Sequence, residues 1–483
     1  MAGVKDVKTY RKRIKVGFEG LVNSVDESIA GFEYAVNCKN FAFEKGVING
    51  KIGIDTAGGH FNTNIYYDTH IYPTFAADKG IKKAFHFRRK NPETGALDDR
   101  IVCVLSDGTL WNTQIFSLDT WHQFESPIIR YDSDAVNYNY KSEDVLLLAA
   151  EDIGMFVVRA DRVTYLDKAP KFTSIAVHNE RVFGTLNEKK NQVWFSDDFD
   201  PNNWTISSTE AGYIDFADDL GNAIKVVSFL NFLFVFRDYG IMRLTAYGDQ
   251  NDFMMKKVFT DTGRIYKDSI VLCGDKIMFC AEDGVYAFDG YDAVKVGKEF
   301  PKIIDKKTVR AGYLENKYYL ACKLGQPGDL TNDSVIRFDT ETKDISVLTD
   351  VKVAGFCCLK SAKDATLLCY FSDENKNKLG MMSESGKVFE TVTAKVYESP
   401  ENTLGSPYYK TIRGASVFTE YPITLKVILD GKEYKFNIAA KDTQQYIPIE
   451  KCGIRVKFKI EAQTAHAYVS PISVDVDVER RAL

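Results

Sequence analysis

The chain has 483 residues, 45% hydrophobic and 13% aromatic, which is ample apolar material for two or three cores or one large repeat array and too much for a disordered chain. Its 62 basic and 67 acidic residues leave a formal charge of −5, so no global basic excess advertises nucleic-acid binding. The longest apolar stretch, 226–236, is broken by Ser228 and Asn231 and is far shorter than a membrane span, and the N-terminus is charged where a signal peptide needs an apolar run.

Residues 1–15 hold Lys5, Lys8, Arg11, Lys12, Arg13 and Lys15 against the single acid Asp6, and show no apolar periodicity. Such a segment reads as an exposed basic arm ordered by a partner, with 14–18 available as an edge strand. Irregular β structure with turns at Asn49-Gly50 and Gly53 is expected over 18–54, so 1–55 forms one N-terminal unit.

From there a single unit recurs: an aromatic-rich strand, a tight turn and a second strand closing on an acidic or glycyl corner. Its clearest copy spans 275–290, where Asp283-Gly284 and Asp289-Gly290 each end an alternating run, a strong hairpin signal because Gly adopts positive φ freely. Looser copies fall roughly every 35–50 residues, the period of radial or stacked β arrays. The strand sets are 83–89 with 100–111; 135–140, 145–150 and 155–166; 173–177, 181–186 and 192–196; 223–229, 232–237 and 240–246; 269–273, 276–281 and 284–289; 308–314, 318–323 and 334–339; and 353–359, 365–372 and 378–383. Each offers three strong strands and a weaker fourth, the inventory of about seven β-propeller blades over 56–397. A strand near 47–54 is expected to complete the last blade.

The Pro- and Gly-containing stretch 398–407 reads as a corner, and beyond it alternation becomes cleaner. Ile423, Leu425, Val427 and Leu429 share one face, as do Val456, Phe458 and Ile460, and Ile472, Val474, Val476 and Val478. This predicts a C-terminal antiparallel β-sandwich or sheet over 398–483. The outward charges Arg455, Lys457 and Lys459 invite antiparallel pairing with Asp475, Asp477 and Glu479. The fold class is all-β, with about a tenth helix or less.

Catalytic chemistry finds little footing. Nine cysteines, an odd number with no CxxC, sit mostly in apolar runs and read as buried reduced thiols. The six histidines lack metal-ligand spacing, and HExxH, GxSxG and P-loop sequences are absent. The acidic tract 197–203 fails as a calcium loop because Asn203 and Thr209 stand where Gly and Glu are needed, so it reads as a solvated turn. The run 106–111 has the flavour of an Asp-box turn with the wrong spacing, and Arg159, Arg181, Arg237 and Arg310 have no evident common target. Paired carboxylates for glycoside hydrolysis are defined by distance in space, so the sequence leaves that class open. The expectation is no enzyme, cofactor or metal.

Four segments carry a family resemblance: Gly20-Leu21-Val22-Asn23 with Asn37 and the run 46–53; the run 193–204, including Trp194, Ser196, Asp200, Pro201 and Trp204; the run 234–244 around Asp238-Tyr239-Gly240; and Thr262-Gly263-Arg264 through Asp283-Gly284-Val285-Tyr286 to Asp289-Gly290. Together and in this order they resemble the tail hub or nozzle proteins of tailed double-stranded DNA bacteriophages, a family that includes the packaged-DNA stabilisation hub proteins of short-tailed phages. The resemblance implies a structural virion subunit in a ring of six identical copies, or twelve, below the portal and its adaptor. That ring would extend the DNA channel and help retain packaged DNA until ejection, without gripping it specifically. It implies assembly in the host cytoplasm, and it transfers no catalytic residues. The basic residues Lys5, Lys8, Arg11, Lys12, Arg13 and Lys15 are then the candidate partner-binding positions. The alternative is a tail propeller that binds or cleaves host-surface carbohydrate, which the grouping of Trp111, Trp121, Trp194 and Trp204 in two adjacent candidate blades keeps open.

Overall fold

The computed structural model describes residues 8–480 apart from 23–26, 28–29, 58–78, 116, 119, 208–210, 249, 261–262, 298–299, 326–330, 361–364 and 374. Among the described residues the only helices are single 3-10 turns at Gln250–Asp252 and Lys267–Ser269. The rest of the regular structure is strand, a β-propeller-like all-β fold built from small, almost entirely antiparallel sheets.

Seven sheets follow one another along the chain. The first is Ile81–Phe87, Arg100–Leu105, Thr109–Gln114 and His122–Ile128. The second is Ser133–Tyr140, Glu143–Ala150, Gly154–Val158 and Val163–Leu166, and the third Phe172–His178, Arg181–Leu186, Gln192–Phe195 and Gly212–Asp215. The fourth is Ala223–Phe229, Phe232–Arg237, Gly240–Thr245 and Met254–Thr260, and the fifth Val271–Cys273, Lys276–Ala281, Gly284–Phe288 and Ala293–Lys295. The sixth runs Asp305–Leu314, Lys317–Lys323, Ser334–Asp339 and Ile345–Thr349, and the seventh Val353–Lys360, Ala365–Phe371 and Leu379–Ser383. Second strands such as Glu143–Ala150 and Phe232–Arg237 are almost wholly buried, because sheets cover them on both faces.

The first strands of the sheets approach one another. Those of the first, second, third and fourth pack in turn, as do those of the fifth, sixth and seventh, and the seventh lies against the first. Between the fourth and fifth sheets, Phe234 and Phe236 meet Phe288 and Phe279 edge to face.

The N-terminal residues do not form a unit of their own. Gly53–Thr56 supplies the fourth strand of the seventh sheet, with Met381 opposite Asp55. Ala42–Glu44 and Val47–Asn49 extend the sixth, and Asn37–Lys39 pairs with Lys395–Glu398. Of the stretch near 47–54 expected to supply a strand, Val47–Asn49 thus extends the sixth sheet, and Gly53–Thr56 overlaps its end and joins the seventh.

The C-terminal region is a sandwich. One sheet runs Lys8–Val16, Ile472–Arg480, Lys410–Val417, Gln445–Gly453; the other runs Asn37–Lys39, Lys395–Glu398, Val456–Ala462, Ile423–Leu429, Lys432–Ile438. The alternating faces foreseen for Ile423–Leu429, Val456–Ala462 and Ile472–Arg480 all point inward. The cross-pairing of Lys457 and Lys459 with Asp475 and Asp477 is corrected: their strands belong to opposite sheets. Lys457 and Lys459 meet Glu398 instead, at 3.3 and 3.0 Å. One apolar cluster runs from this sandwich (Val427, Phe458, Val476) into the fifth and sixth sheets (Met278, Tyr318, Ile336), so the two regions share a core.

Candidate functional sites

The basic arm residues are ordered within the chain. Lys8, Arg11, Lys12, Arg13 and Lys15 lie on Lys8–Val16, which pairs in full register with Ile472–Arg480, so an arm lacking an intrachain partner is corrected. Burial of Ile14 and Val16 anchors the strand, while Arg11 reaches Asp477 at 3.1 Å and Arg13 reaches Asp475 at 2.8 Å. Hydrogen bonds from Arg11 and Arg413 hold the carboxyl of Asp477 below its usual range. Lys5 lies outside the described residues.

A second charged constellation was invisible in the sequence. Where the first strands converge, Lys83 of the first sheet bonds Asp132 (2.8 Å) and Asp268 (3.4 Å); Lys267 bonds Asp132 (2.6 Å) and the Thr173 carbonyl (2.6 Å); and Arg310 of the sixth sheet bonds Asp268 (3.2 Å). Asp134 accepts from the Ser174 hydroxyl and the Ile175 amide, and Lys225 donates to the Ile270 carbonyl at 2.7 Å. Strands of five sheets, with the 3-10 turn that leads into the fifth, thereby contribute to one partly buried hub. Burial works against each charge there, yet Lys83 and Lys267 hold Asp132 well below the carboxylate range. Lys83 and Arg310 do the same for Asp268, and Asp268 with Asp132 raises Lys83 above its ordinary value. Lys225, whose burial outweighs its acids, is shifted down.

A third arrangement joins the sandwich to the seventh sheet. The ammonium of fully buried Lys395 donates to the carbonyls of Gly386 (3.3 Å), Thr393 (3.1 Å) and Thr464 (2.8 Å), and burial brings its pKa down to about 8. Gly386, at φ +69°, packs so close to the Ala465 carbonyl that a Cβ there would collide with it. Lys410 repeats the device on the carbonyls of Ser406, Tyr408 and Ile454.

The other positions singled out in the sequence stay local. Asp197 accepts from the Asp198 amide and Asn203, Asp200 from the Asn202 amide, and Asp198 pairs with Arg181, which is turn chemistry. Arg159 pairs with Glu143 and Arg237 with Asp218, so the four arginines do not converge, and Arg310 alone enters the hub. In 106–111, Asp107 accepts from Thr109, which in turn accepts from the Trp111 indole. Trp121 and Trp204 are buried and donate to the Leu118 and Pro201 carbonyls, and Trp194 stacks on Tyr213. All nine cysteines are free thiols, and burial pushes those of Cys38 and Cys280 up to about 12. His60, His70, Asn23, Thr209 and Thr262 lie outside the described residues.

No family model and no curated protein matches the chain. Among solved structures, the chain is similar to BBS1N in complex with ARL6DN at a TM-score of 0.42 and 12% identity, covering 65% of this chain and 96% of that one. Chaetomium thermophilum Raptor gives a TM-score of 0.44 at 10% identity over 66% of this chain and 30% of its own. The extracellular domain of the putative one component system BT4673 from B. thetaiotaomicron gives 0.42 at 8% over 84% and 58%.

Proposed function

We propose that the chain is a structural virion subunit: a closed seven-bladed propeller with a C-terminal sandwich, forming a hub or nozzle ring in a phage tail. Six copies, or twelve, would sit below the portal and adaptor, prolong the DNA channel and hold packaged DNA until ejection. The observation that supports this reading best is the hub. The place where first strands meet is occupied by cations and carboxylates bonded to one another, which leaves outer surfaces and sheet edges for work. The order of the segments at 20–53, 193–204, 234–244 and 262–290 supplies the link to the phage family. Mild net acidity suits a conduit, because each phosphate neutralised by the wall would strengthen salt-dependent retention of DNA that must leave. A carbohydrate-directed role draws less support, since Trp121 and Trp204 are spent in cores and Trp111 and Trp194 in local contacts.

The test is to image or weigh assembled particles that carry the chain. Six or twelve copies per tail on the axis below the portal are expected. One or three copies, or location at a fibre tip with glycan release by the purified protein, overturns the reading.

A further inference from the structure

The strand Lys8–Val16 is the outer member of its sheet. One side is fully paired with Ile472–Arg480, and among the described residues nothing pairs with the other. An open edge of this length is a template for strand addition, because its free amides and carbonyls repeat at the spacing of a ladder.

Charge decides what can add. Across this sheet the sign alternates strand by strand: Arg413 on Lys410–Val417, then Asp475 and Asp477, then Arg11 and Arg13. Arg413 is 2.7 Å from Asp477, so that acid is already shared between cations on both sides, while Asp475 is held by Arg13. The side chains of Arg11 and Arg13 remain 69% and 70% exposed, with guanidinium N–H groups to spare. Lys12 and Lys15 are exposed, and among the described residues neither is joined to a carboxylate. The next strand in this alternation is acidic.

That requirement removes a second copy of the chain as the occupant. Antiparallel addition of the strand to itself sets basic residues against basic ones. Other open edges of the sandwich fail as well: Lys432–Ile438 carries Lys432 and Lys435, with its acid Glu433 held by Lys426, and Gln445–Gly453 carries Pro448, with its acid Glu450 held by Arg413. A basic edge of this kind blocks indiscriminate self-association while admitting an acidic partner, which is specificity by repulsion. We propose that Lys8–Val16 is a docking edge for an acidic, extended segment of a different protein, which adds as a fifth strand to this sheet. The inference stands on the sandwich alone and holds whether or not the chain belongs to a virion.

The experiment uses the full chain and a labelled nine-residue peptide alternating Glu and Val, read by fluorescence anisotropy at low and physiological salt. One peptide per chain is expected to bind, and replacing its Glu by Gln should weaken it at least ~10-fold. The substituted protein Lys15→Glu, changed on the face that carries Arg11 and Arg13, should lose part of that factor while its melting midpoint is retained. If that variant melts early, the Glu-to-Gln peptide carries the charge test. N-methylation of alternate peptide amides, which leaves every side chain in place, should abolish binding. Absence of binding at low salt overturns the proposal, as does equal affinity for the N-methylated peptide. Tighter, steeply salt-dependent binding of duplex DNA overturns it too, by making the strand a phosphate contact.

Discussion

The hub and the joint bury cations by opposite means. At the hub, Lys83, Lys267 and Arg310 are met by Asp132 and Asp268, so charge answers charge. At the joint, Lys395 has three backbone carbonyls and no carboxylate. Lys83, Lys267 and Arg310 therefore stabilise the fold as ions, whereas the ammonium of Lys395, like that of Lys225 on the Ile270 carbonyl, is tolerated because it occupies carbonyls that would otherwise be orphaned. The direction of the shifts follows, up for Lys83 and down for Lys395.

The sharpest way to break this comparison is Asp132→Ala. It strands Lys83 without its nearer partner and leaves Lys267 with one carbonyl, so a loss of about 2–4 kcal/mol is expected, the lower part of the range for a broken buried pair because the site is partly solvated. Chemical denaturation should show a lower midpoint at an unchanged slope. Lys83→Met should cost less, since Asp132 keeps Lys267 and Asp268 keeps Arg310. Equal losses for the two variants would mean that the hub is packing rather than a charge network. Next in size is Lys395→Met, which frees three buried carbonyls but also removes a desolvated charge; about 1–3 kcal/mol is expected. Cleavage near 386–393 or 464 under limited proteolysis should rise with it.

pH separates the regions by sign. Asp132 and Asp268 have depressed values, so their stabilisation is present above the unfolded carboxylate pKa, near 4, and is lost as pH falls further. Lys83 is raised, so its contribution is complete below ~10.5 and fades at higher pH. Lys395 runs the other way: between about 8 and the unfolded value of 10.5 the native state holds fewer protons, and stability rises with pH. Over that window the buried thiols, which keep their protons only in the folded state, lower the stability of every variant alike, so the wild-type midpoint minus that of Lys395→Met should rise with pH. A difference between the two midpoints that stays flat from pH 8 to 10.5 would contradict the joint.

Much of the array was legible because burial on both faces produces continuous apolar strands such as 145–148 and 233–236. Asp283-Gly284 announced its hairpin. The corresponding turns at Lys141-Ser142, Asn179-Glu180, Leu230-Asn231 and Glu315-Asn316 place both residues at positive φ without a glycine, so the usual residue signal is missing. Fourth strands such as Met254–Thr260 were expected but not located, because they are outermost and half solvated, which weakens the alternation. The hub draws on residues 83, 132, 225, 267 and 310, a juxtaposition that only the tertiary arrangement creates. Acidic and basic alternation in the sandwich was visible, but the partner of Asp475 and Asp477 was sought nearby in the chain. It lies more than 450 residues away, at Arg11 and Arg13.

The smallest effect belongs to that long-range pairing. Arg13 sits 2.8 Å from Asp475, yet it is mostly in solvent, where water and salt screen the pair and the side chain loses rotamer entropy by holding it. Arg13→Ala should leave the melting midpoint within the error of a calorimetric scan. Any residual shift should vanish in concentrated salt. Ile14→Ala, one residue on, removes a buried side chain that packs beneath Val474, its register partner, and should lower the midpoint clearly through the cavity it leaves. If Arg13→Ala proves the more damaging of the two, the strand is held by charge rather than by burial, and its contrast with the hub disappears.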